Sequence, residues 1–491
     1  MKNDSPMTRN QKILLSIILV IAALSRFLFL DLQSFWYDEL FTQWACHYDT
    51  FREFFKLTVV PDVHPPLYNT FIYFWAKLFG FSEIALRLPS AIFGFLAIYW
   101  VFKLGRMSFS SNVGILAAAL TTVFWFPLYM AQEARSYSLV LFLSTAFTYY
   151  HYKLYRIDNN VINKRDAIVF VLSGSAMLYT HYYTGLFVIL SAVFFIHVPR
   201  SKAQKILLLY ICIGITYLPW VPYIMEHFSK RNEFWTGSFS PFALFSTFDF
   251  ISINYRLFSI FPISIIALYL IMAFLRRGSV SSDTKPRNQR VSSITYFTLI
   301  LIVPFVLIYL ASTISKPLFS PRYYSFAYPS FVVLLSQALL GLSKKRILGY
   351  LLISVMITLS LLSLVFKENY YGIHKTDFRG AYQFMADRET ERRWPVLVQG
   401  LEITKYPGAL YAYFNIETNS GRDFFCFDGA PSRIDSVKNS LKLIGADTAW
   451  YLSDTRFEQN DVDSVVLSNF DVVSLTHFHW LELYQLALKH K

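Results

Sequence analysis

The sequence predicts an all-α polytopic membrane protein followed by a small α/β domain, and three observations support this fold class. Hydrophobic residues make up 55% of the 491-residue chain and charged residues only 16%, which is more apolar surface than one soluble core could bury. Apolar windows long enough to cross roughly 30 Å of hydrocarbon recur from Lys12 to Phe366 and then stop. The residues after Phe366 have the pattern of an ordinary soluble domain. We therefore predict a transmembrane domain at residues 1–366 and a second domain at residues 367–491.

Eleven apolar windows are predicted to form transmembrane helices. The first follows Lys2, Arg9 and Lys12 and has no small-residue cleavage site after it, so we expect an uncleaved helix whose amino end lies in the cytoplasm. The predicted spans are residues 13–30, 88–104, 113–128, 137–155, 167–179, 186–197, 206–222, 257–275, 294–311, 324–342 and 347–366.

The basic residues test this layout. The net charge is +13, but Lys and Arg form short clusters between the spans, where they set topology, and this argues against nucleic-acid binding. All the clusters fall on the side of the amino terminus, which places the first loop, residues 31–87, and the domain 367–491 outside the cytoplasm. Residues 66–80 are apolar enough for another short span. Counting them as one would invert every later loop, so we predict a juxtamembrane helix at the membrane interface.

The domain at 367–491 is predicted to alternate strands and helices. The expected strands are residues 395–399, 424–427, 448–452 and 472–475, and the expected helices are residues 378–389, 407–414 and 433–443. We find no catalytic motif in it. Contact with an acceptor and a structural lid are both open roles.

Two adjacent carboxylates, Asp38 and Glu39, follow the first span behind an aromatic run. One interpretation is that Asp38 caps a helix that starts near Leu40 and runs through Phe55. The alternative is catalytic, because a carboxylate held against a membrane surface is costly to desolvate and its pKa shifts toward a value useful for a general base.

Other chemically active residues lie in loops that the topology places on the same outer face. His64 precedes paired prolines and has a non-functional interfacial alternative, whereas Glu133 and Arg135 could simply pair with each other. His181 lies in the next outer loop. Arg322 precedes the tenth span and could be a snorkelling flank residue. Acidic, imidazole and guanidinium groups from five loops therefore face one compartment, as an active site at the bilayer surface requires.

The run from Ser34 to Arg156 resembles the bacterial members of the protein O-mannosyltransferase-like family of membrane glycosyltransferases, which have the C-type fold. The resemblance is carried by the stretches W-x-D-E, H-P-P-L-Y, A-L-R-L-P-S-A-I-F-G and Q-E-A-R-S-Y-S-L, and by the later T-H-Y-Y and P-R-Y-Y. Aminoarabinose transferases and oligosaccharyltransferase catalytic subunits are similar at greater distance. The resemblance covers roughly the first 345 residues.

This resemblance implies transfer of a hexosyl or pentosyl group, of which mannosyl is one candidate, from a polyprenyl-phosphate-linked donor. It implies inversion at the anomeric carbon, a periplasmic active site, an inner-membrane location, and a protein, lipid or glycan acceptor. Asp38 would be the general base and Glu39 an orienting or structural residue. Glu133 would be the second acidic position of the superfamily.

The same resemblance suggests residues for the donor and for other substrate contacts. Donor-phosphate binding is expected from Arg322, Arg135, Arg26 and Tyr323, and substrate or metal contact from His64, His181 and Tyr137. No cofactor is assigned. A divalent cation stays open, because the position of Glu133 helps to hold one in some relatives. Some aminoarabinose transferases have a lysine after an acidic residue just before the paired prolines, where this chain has Val63 and His64, and this difference argues against a zinc site there.

The rival class is a transporter or flippase for lipid-linked sugars. Such proteins place ionisable residues near the bilayer midplane on broken helices. Here these residues are predicted to gather at one face, which favours an enzyme.

Overall fold

The computed structural model describes most of the chain and divides it into two compact units. One unit comprises Met1–Leu28, Phe55–Phe71 and Arg87–Glu368, and the other comprises Phe29–Phe54, Ile72–Leu86 and Asn369–Lys491. The described residues are 6–156, 162–229, 243–254, 260–278, 292–314, 320–342, 346–368, 370, 372–389, 394–399, 424–427, 431–455 and 462–489.

Helices account for nearly all of the described chain before residue 369. In chain order they are α1 (Arg9–Phe27), α2 (Tyr37–Ala45), α3 (Phe51–Phe54), α4 (Pro66–Phe79), α5 (Glu83–Ser108), α6 (Ser111–Val123), α7 (Trp125–Ala131), α8 (Tyr137–Arg156), α9 (Lys164–Leu178), α10 (Tyr183–Ser191), α11 (Arg200–Tyr217), α12 (Val221–Ser229), α13 (Ala243–Phe250), α14 (Ile260–Gly278), α15 (Ser293–Ile314), α16 (Tyr328–Leu342) and α17 (Arg346–Leu362). Short 3-10 helices occur at Ala192–His197, Leu218–Trp220 and Pro321–Ala327, and π-helical turns at Phe55–Val59 and Ser363–Lys367.

The predicted all-α membrane fold is confirmed. Within the described residues, six helical segments are long and apolar enough to cross a membrane, and the bent pair α6–α7 would make a seventh. Two shorter apolar helices lie at Tyr183–Ile196 and Ile260–Leu275. Within the described residues, the predicted window at 113–128 falls on the bent pair α6–α7, which breaks at Phe124, and the other ten windows fall on a helix or on a helix continued by a short 3-10 or π turn. That all eleven cross the membrane stays a prediction.

Close packing of α5 on α6 depends on two glycines. A Cβ atom added to Gly105 would lie 2.8 Å from the Cα of Gly114, and one added to Gly114 would lie 2.4 Å from the carbonyl oxygen of Phe102. Small residues at such a crossing let two backbones approach closely, which is a main source of helix association in lipid.

The apolar segment at 66–80 forms a helix, α4, as predicted. It begins at Pro66, and Gly80, with φ of 90°, follows its end. A left-handed glycine is a common helix terminator. Leu78 and Phe79 are 78% and 58% exposed in the protein. The exposed apolar residues suit the interfacial position, which stays a prediction.

The second unit contains a five-stranded sheet in the order β2-β1-β3-β5-β4. Strand β1 pairs in parallel with β2 and β3, and β5 pairs antiparallel with β3 and β4. The strands are β1 (Val396–Gln399), β2 (Phe424–Phe427), β3 (Thr448–Asp454), β4 (Phe470–Phe478) and β5 (Leu481–Leu488), and the helices are α18 (Phe378–Arg388), α19 (Pro431–Leu443) and α20 (Val462–Asn469). Its core includes Leu397, Leu441, Tyr451 and Leu486.

The predicted α/β character of this region is confirmed. All four predicted strands and the predicted helices at 378–389 and 433–443 are present. The predicted helix at 407–414 lies outside the described residues. The sequence analysis missed β5 and α20. Since β5 lies between β3 and β4, the strand that was missed is an internal one.

Candidate active site

The loop before α4 carries a buried carboxylate, Asp62, between two hydrogen-bond donors. His64 Nδ1 lies 3.3 Å from Asp62 Oδ1, and Asn69 Nδ2 donates to Asp62 Oδ2 at 2.6 Å. Pro66 occupies the first position of α4, where the missing N–H of proline costs no helical hydrogen bond. The turn therefore holds Asp62 and His64 together at the amino end of α4.

Aromatic rings surround His181, which lies between α9 and α10. Its ring centroid is 5.7 Å from that of His64, 6.2 Å from that of Tyr137 and 5.1 Å from that of Tyr323. His181 Nδ1 accepts a hydrogen bond from the backbone N–H of Tyr183 at 3.3 Å. The fold thus brings together three of the predicted substrate residues and one predicted donor residue within the first unit.

The charges in this cluster set the ionisation of its members. Burial opposes ionisation of Asp62, yet the pKa of its carboxyl lies below the usual value, because His64 and Arg135 supply positive charge and His64 and Asn69 donate hydrogen bonds. Burial, followed by the charges of His64 and Arg135, holds the pKa of His181 well below its usual value. At neutral pH the cluster therefore combines an ionised carboxylate with a neutral imidazole.

The short loop between α7 and α8 positions Glu133 and Arg135. Glu133 is fully buried and Arg135 is 7% exposed. The backbone N–H of Arg135 donates to the Glu133 carbonyl at 2.8 Å, and Ser90 Oγ donates to the Arg135 carbonyl at 3.2 Å. The loop is therefore fixed against α5. Arg135 acts electrostatically on Asp62 and His181, whereas the role predicted for Glu133 stays a prediction.

Arg322 and Tyr323 open the 3-10 helix Pro321–Ala327. The backbone N–H of Tyr323 donates to the Ser320 carbonyl at 3.0 Å. The Tyr323 ring packs 5.1 Å from that of Tyr183, and the Arg322 side chain is half-buried. Tyr323 thus belongs to the ring cluster around His181.

Asp38 and Glu39 lie in the first turn of α2, in the second unit. The N-cap residue is Trp36, whose backbone N–H donates to Glu39 Oε2 at 3.4 Å. The interpretation of Asp38 as the cap of a helix running from Leu40 through Phe55 is therefore wrong, because α2 begins at Tyr37 and ends at Ala45. Asp38 is half-buried and Glu39 fully buried. Carboxylates in a first turn are favoured by the helix dipole.

A further hydrogen-bond chain holds the loop that carries Asp62. Trp220 Nε1 donates to the Tyr182 hydroxyl at 3.2 Å, and that hydroxyl lies 2.6 Å from His227 Nδ1. His227 Nε2 lies 2.5 Å from the Val60 carbonyl. A carbonyl can only accept, so Nε2 carries the proton and Nδ1 accepts from Tyr182.

Comparison with known proteins covers both sequence and fold. Residues 63–225 match the sequence model of the family described as dolichyl-phosphate-mannose-protein mannosyltransferase. This region contains His64, Arg135 and His181, three members of the cluster. No curated protein matches the sequence.

Solved structures of low identity share the fold. The apo structure of ArnT from Cupriavidus metallidurans gives a TM-score of 0.58 at 13% identity, covering 96% of this chain and 97% of that chain. The same enzyme bound to undecaprenyl phosphate gives a TM-score of 0.54 at 12% identity, with the same coverage. The Archaeoglobus fulgidus oligosaccharyltransferase gives a TM-score of 0.53 at 10% identity, covering 96% of this chain and 72% of that chain.

The predicted resemblance is confirmed: residues 63–225 resemble the dolichyl-phosphate-mannose-protein mannosyltransferase family, and the chain shares the fold of the ArnT structure, as the sequence analysis predicted. The fold likeness extends across the α/β domain as well as the membrane helices. Fold similarity at this identity assigns no residue roles, so the roles predicted for individual side chains rest on their chemistry and surroundings.

Arg26, a predicted donor-phosphate residue, makes contacts with the end of α6; its predicted role stays a prediction. Its side chain is fully buried. Nη1 donates to the Thr122 carbonyl at 3.0 Å and Nη2 to the Thr121 carbonyl at 2.7 Å. These are carbonyls of the last turn of α6, which lack helical donors. The contacts favour a role in holding the α6–α7 bend.

Among the residues that the structure describes, no group of three or more His, Cys, Asp or Glu side chains is arranged to hold a metal ion.

Four residues of the site region were not among the predicted site residues: Asp62, Asn69, Tyr182 and His227. Asp62 stands two positions before His64, which was a usable signal, whereas the partnership of Tyr182 with His227 joins residues 45 positions apart.

Proposed function

We propose that this protein transfers a monosaccharide from a polyprenyl-phosphate-linked donor to an acceptor hydroxyl or phosphate at the periplasmic face of a bacterial inner membrane. The observation that carries the proposal is the buried cluster of Asp62, His64 and His181 under the charge of Arg135. Three of these four residues fall inside the segment that matches the mannosyltransferase family. The ArnT structure of the same fold was solved with undecaprenyl phosphate, which supports a polyprenyl carrier.

Asp38 is proposed as the general base of an inverting displacement. Its carboxylate takes the proton of the acceptor hydroxyl as the hydroxyl oxygen bonds to the anomeric carbon. The bond from that carbon to the phosphate oxygen breaks from the opposite side, and polyprenyl phosphate leaves with the electron pair. General-base assistance of this kind typically contributes about 10²- to 10⁴-fold in rate.

The leaving phosphate gains negative charge, so a permanent cation beside it lowers the barrier. Arg322 is proposed for this task, since guanidinium geometry matches phosphate oxygens. Arg135 lies in the polar cluster and is the second candidate. Tyr323 would supply a ring and a hydroxyl next to Arg322. Arg26 is not assigned to this task, because its Nη1 and Nη2 atoms already donate to carbonyls of α6.

The cluster around His181 is proposed to bind the sugar. His181 Nδ1 accepts from the Tyr183 N–H, so the proton of the neutral imidazole lies on Nε2, which can donate to a sugar hydroxyl. The Asp62 carboxylate can accept from hydroxyls, and the rings of Tyr137 and Tyr323 offer apolar faces.

The test is transfer by the purified protein reconstituted in lipid. A panel of polyprenyl-phosphate hexoses and pentoses is supplied with protein, lipid and glycan acceptors, and products are identified by mass spectrometry and anomeric NMR. Mass spectrometry of envelope glycans from a deletion strain narrows the panel. A product of inverted configuration is expected. Movement of intact donor across the bilayer without cleavage would contradict the proposal and favour a flippase.

A further inference from the structure

Residues 372–376 of the second unit bind the segment that leads into α2. Gln33 is 5% exposed and Ser34 is 3% exposed, and both use their side chains to hold backbone groups of that stretch. Gln33 Nε2 donates to the Gly372 carbonyl at 2.6 Å, Gln33 Oε1 accepts from the N–H groups of His374 at 3.0 Å and Lys375 at 3.1 Å, and Ser34 Oγ donates to the Thr376 carbonyl at 2.6 Å.

A buried ion pair extends this attachment into α2 itself. Lys375 Nζ lies 3.3 Å from Glu39 Oε2, and the two side chains are 4% and 0% exposed. Removing one partner of a buried pair leaves an uncompensated charge, which is far more disruptive than replacing both partners. Glu39 also accepts from the Trp36 N–H, so Lys375 is joined to the cap of α2.

The next residues secure the same segment from two more points. Arg379 Nη2 donates to the carbonyls of Asp31 at 2.7 Å and Leu32 at 3.0 Å. The ring of Phe378 meets that of Tyr37 edge-on at 5.2 Å. Residues 31–39 are thus fixed on both sides of the cap by one stretch of the C-terminal chain.

These contacts have a consequence for Asp38, which shares the first turn of α2 with Glu39. We propose that residues 372–379 are a positioning element for the Asp38 carboxylate and that Lys375 is its main positioning residue. The inference rests on the proposed role of Asp38 as base. It assigns the α/β domain a task in catalysis that requires no contact between Lys375 and the substrate.

The experiment compares Lys375→Met, Lys375→Arg, Glu39→Gln and the double variant Lys375→Met/Glu39→Gln in the full-length reconstituted protein. Lys442→Met, at an exposed lysine of the same domain, is the matched control. Steady-state transfer gives kcat and the donor KM, and hydrogen–deuterium exchange reports on residues 31–45.

Lys375→Met should lower kcat by about 10²-fold, as a displacement of about 1 Å can, with the donor KM within twofold. Exchange should rise in residues 31–45 and stay unchanged in the paired strands β3 and β5. The double variant should have a kcat at least tenfold higher than that of Lys375→Met. The amide that Glu39→Gln introduces still accepts from the Trp36 N–H and leaves no buried charge. Lys375→Arg should retain most activity, and the control should match wild type.

Wild-type kcat in folded Lys375→Met would overturn the proposal. So would a double variant as slow as Lys375→Met, since Lys375 would then act other than through Glu39. Unchanged hydrogen–deuterium exchange of residues 31–45 in Lys375→Met would also contradict the proposal. This measurement does not depend on enzymatic activity. If wild type transfers no sugar from any donor, the proposed function fails, while the exchange data still decide the positioning role.

Discussion

The buried carboxylate of Asp62 offers a quantitative prediction through Asp62→Asn. The carboxylate accepts from His64 at 3.3 Å and from Asn69 at 2.6 Å. An amide is uncharged and has a single carbonyl oxygen, so neither bond keeps a charged acceptor and only one of the two donors keeps an oxygen to bind. Losing one hydrogen bond to a charged, buried group costs about 1.5–3 kcal/mol. This is about a 10- to 100-fold change in the unfolding equilibrium.

The measurement is SDS-induced unfolding of the purified protein in mixed micelles at neutral pH. Asp49→Asn is the control, because Asp49 is an exposed aspartate between α2 and α3, and such surface changes usually stay within about 0.5 kcal/mol. Equal stability of wild type and Asp62→Asn would refute the view that these bonds hold the turn.

The stability difference between wild type and Asp62→Asn should also depend on pH in a defined direction. The pKa of Asp62 is depressed below its usual 3.8, so its contribution to stability is fully present above the unfolded value and is lost as pH falls through the folded value. The difference between wild type and Asp62→Asn should therefore persist down to about pH 4 and shrink below it. A difference that instead shrinks as pH rises from 5 to 8 would contradict the assignment.

Two further predictions concern the donor and the topology. Arg322→Ala should raise the donor KM because a lipid phosphate needs a permanent cation, with Arg322→Lys intermediate; unchanged donor kinetics in both would reduce Arg322 to a membrane anchor. A reporter active only in the periplasm should work when fused after Lys491 or inserted near Asn232, whereas a cytoplasmic signal at either position would overturn the layout.

The membrane helices could be predicted from sequence because backbone groups in lipid must be satisfied within the helix, so a long apolar run has few alternatives. Strand β5 shows where this logic ends. Its sequence, L-E-L-Y-Q-L-A-L, contains good helix formers, and only pairing on both edges, with β3 and β4, selects the extended state. Such pairing is a tertiary choice that propensity does not report.

In the candidate site, too, some features could be predicted from the sequence and others depend on tertiary packing. The imidazoles of His64 and His181 are visible in the sequence, and span counting with the basic loops predicts that they share one face of the membrane. Their meeting at 5.7 Å depends on helix packing. Asp62 was missed because an aspartate before prolines is also an ordinary turn residue, and its second partner, Asn69, lies seven positions on, inside α4.

Sugar transfer by purified Asp38→Asn tests the central claim most directly. Asparagine keeps the size of the side chain, and loss of one first-turn charge costs α2 only about 0.3–1 kcal/mol, so the fold and donor binding should survive. The amide cannot take the acceptor proton, and transfer should fall by about 10²- to 10⁴-fold, with Glu39→Gln milder. Transfer near the wild-type rate would contradict the account and make Glu133 the first candidate for the base.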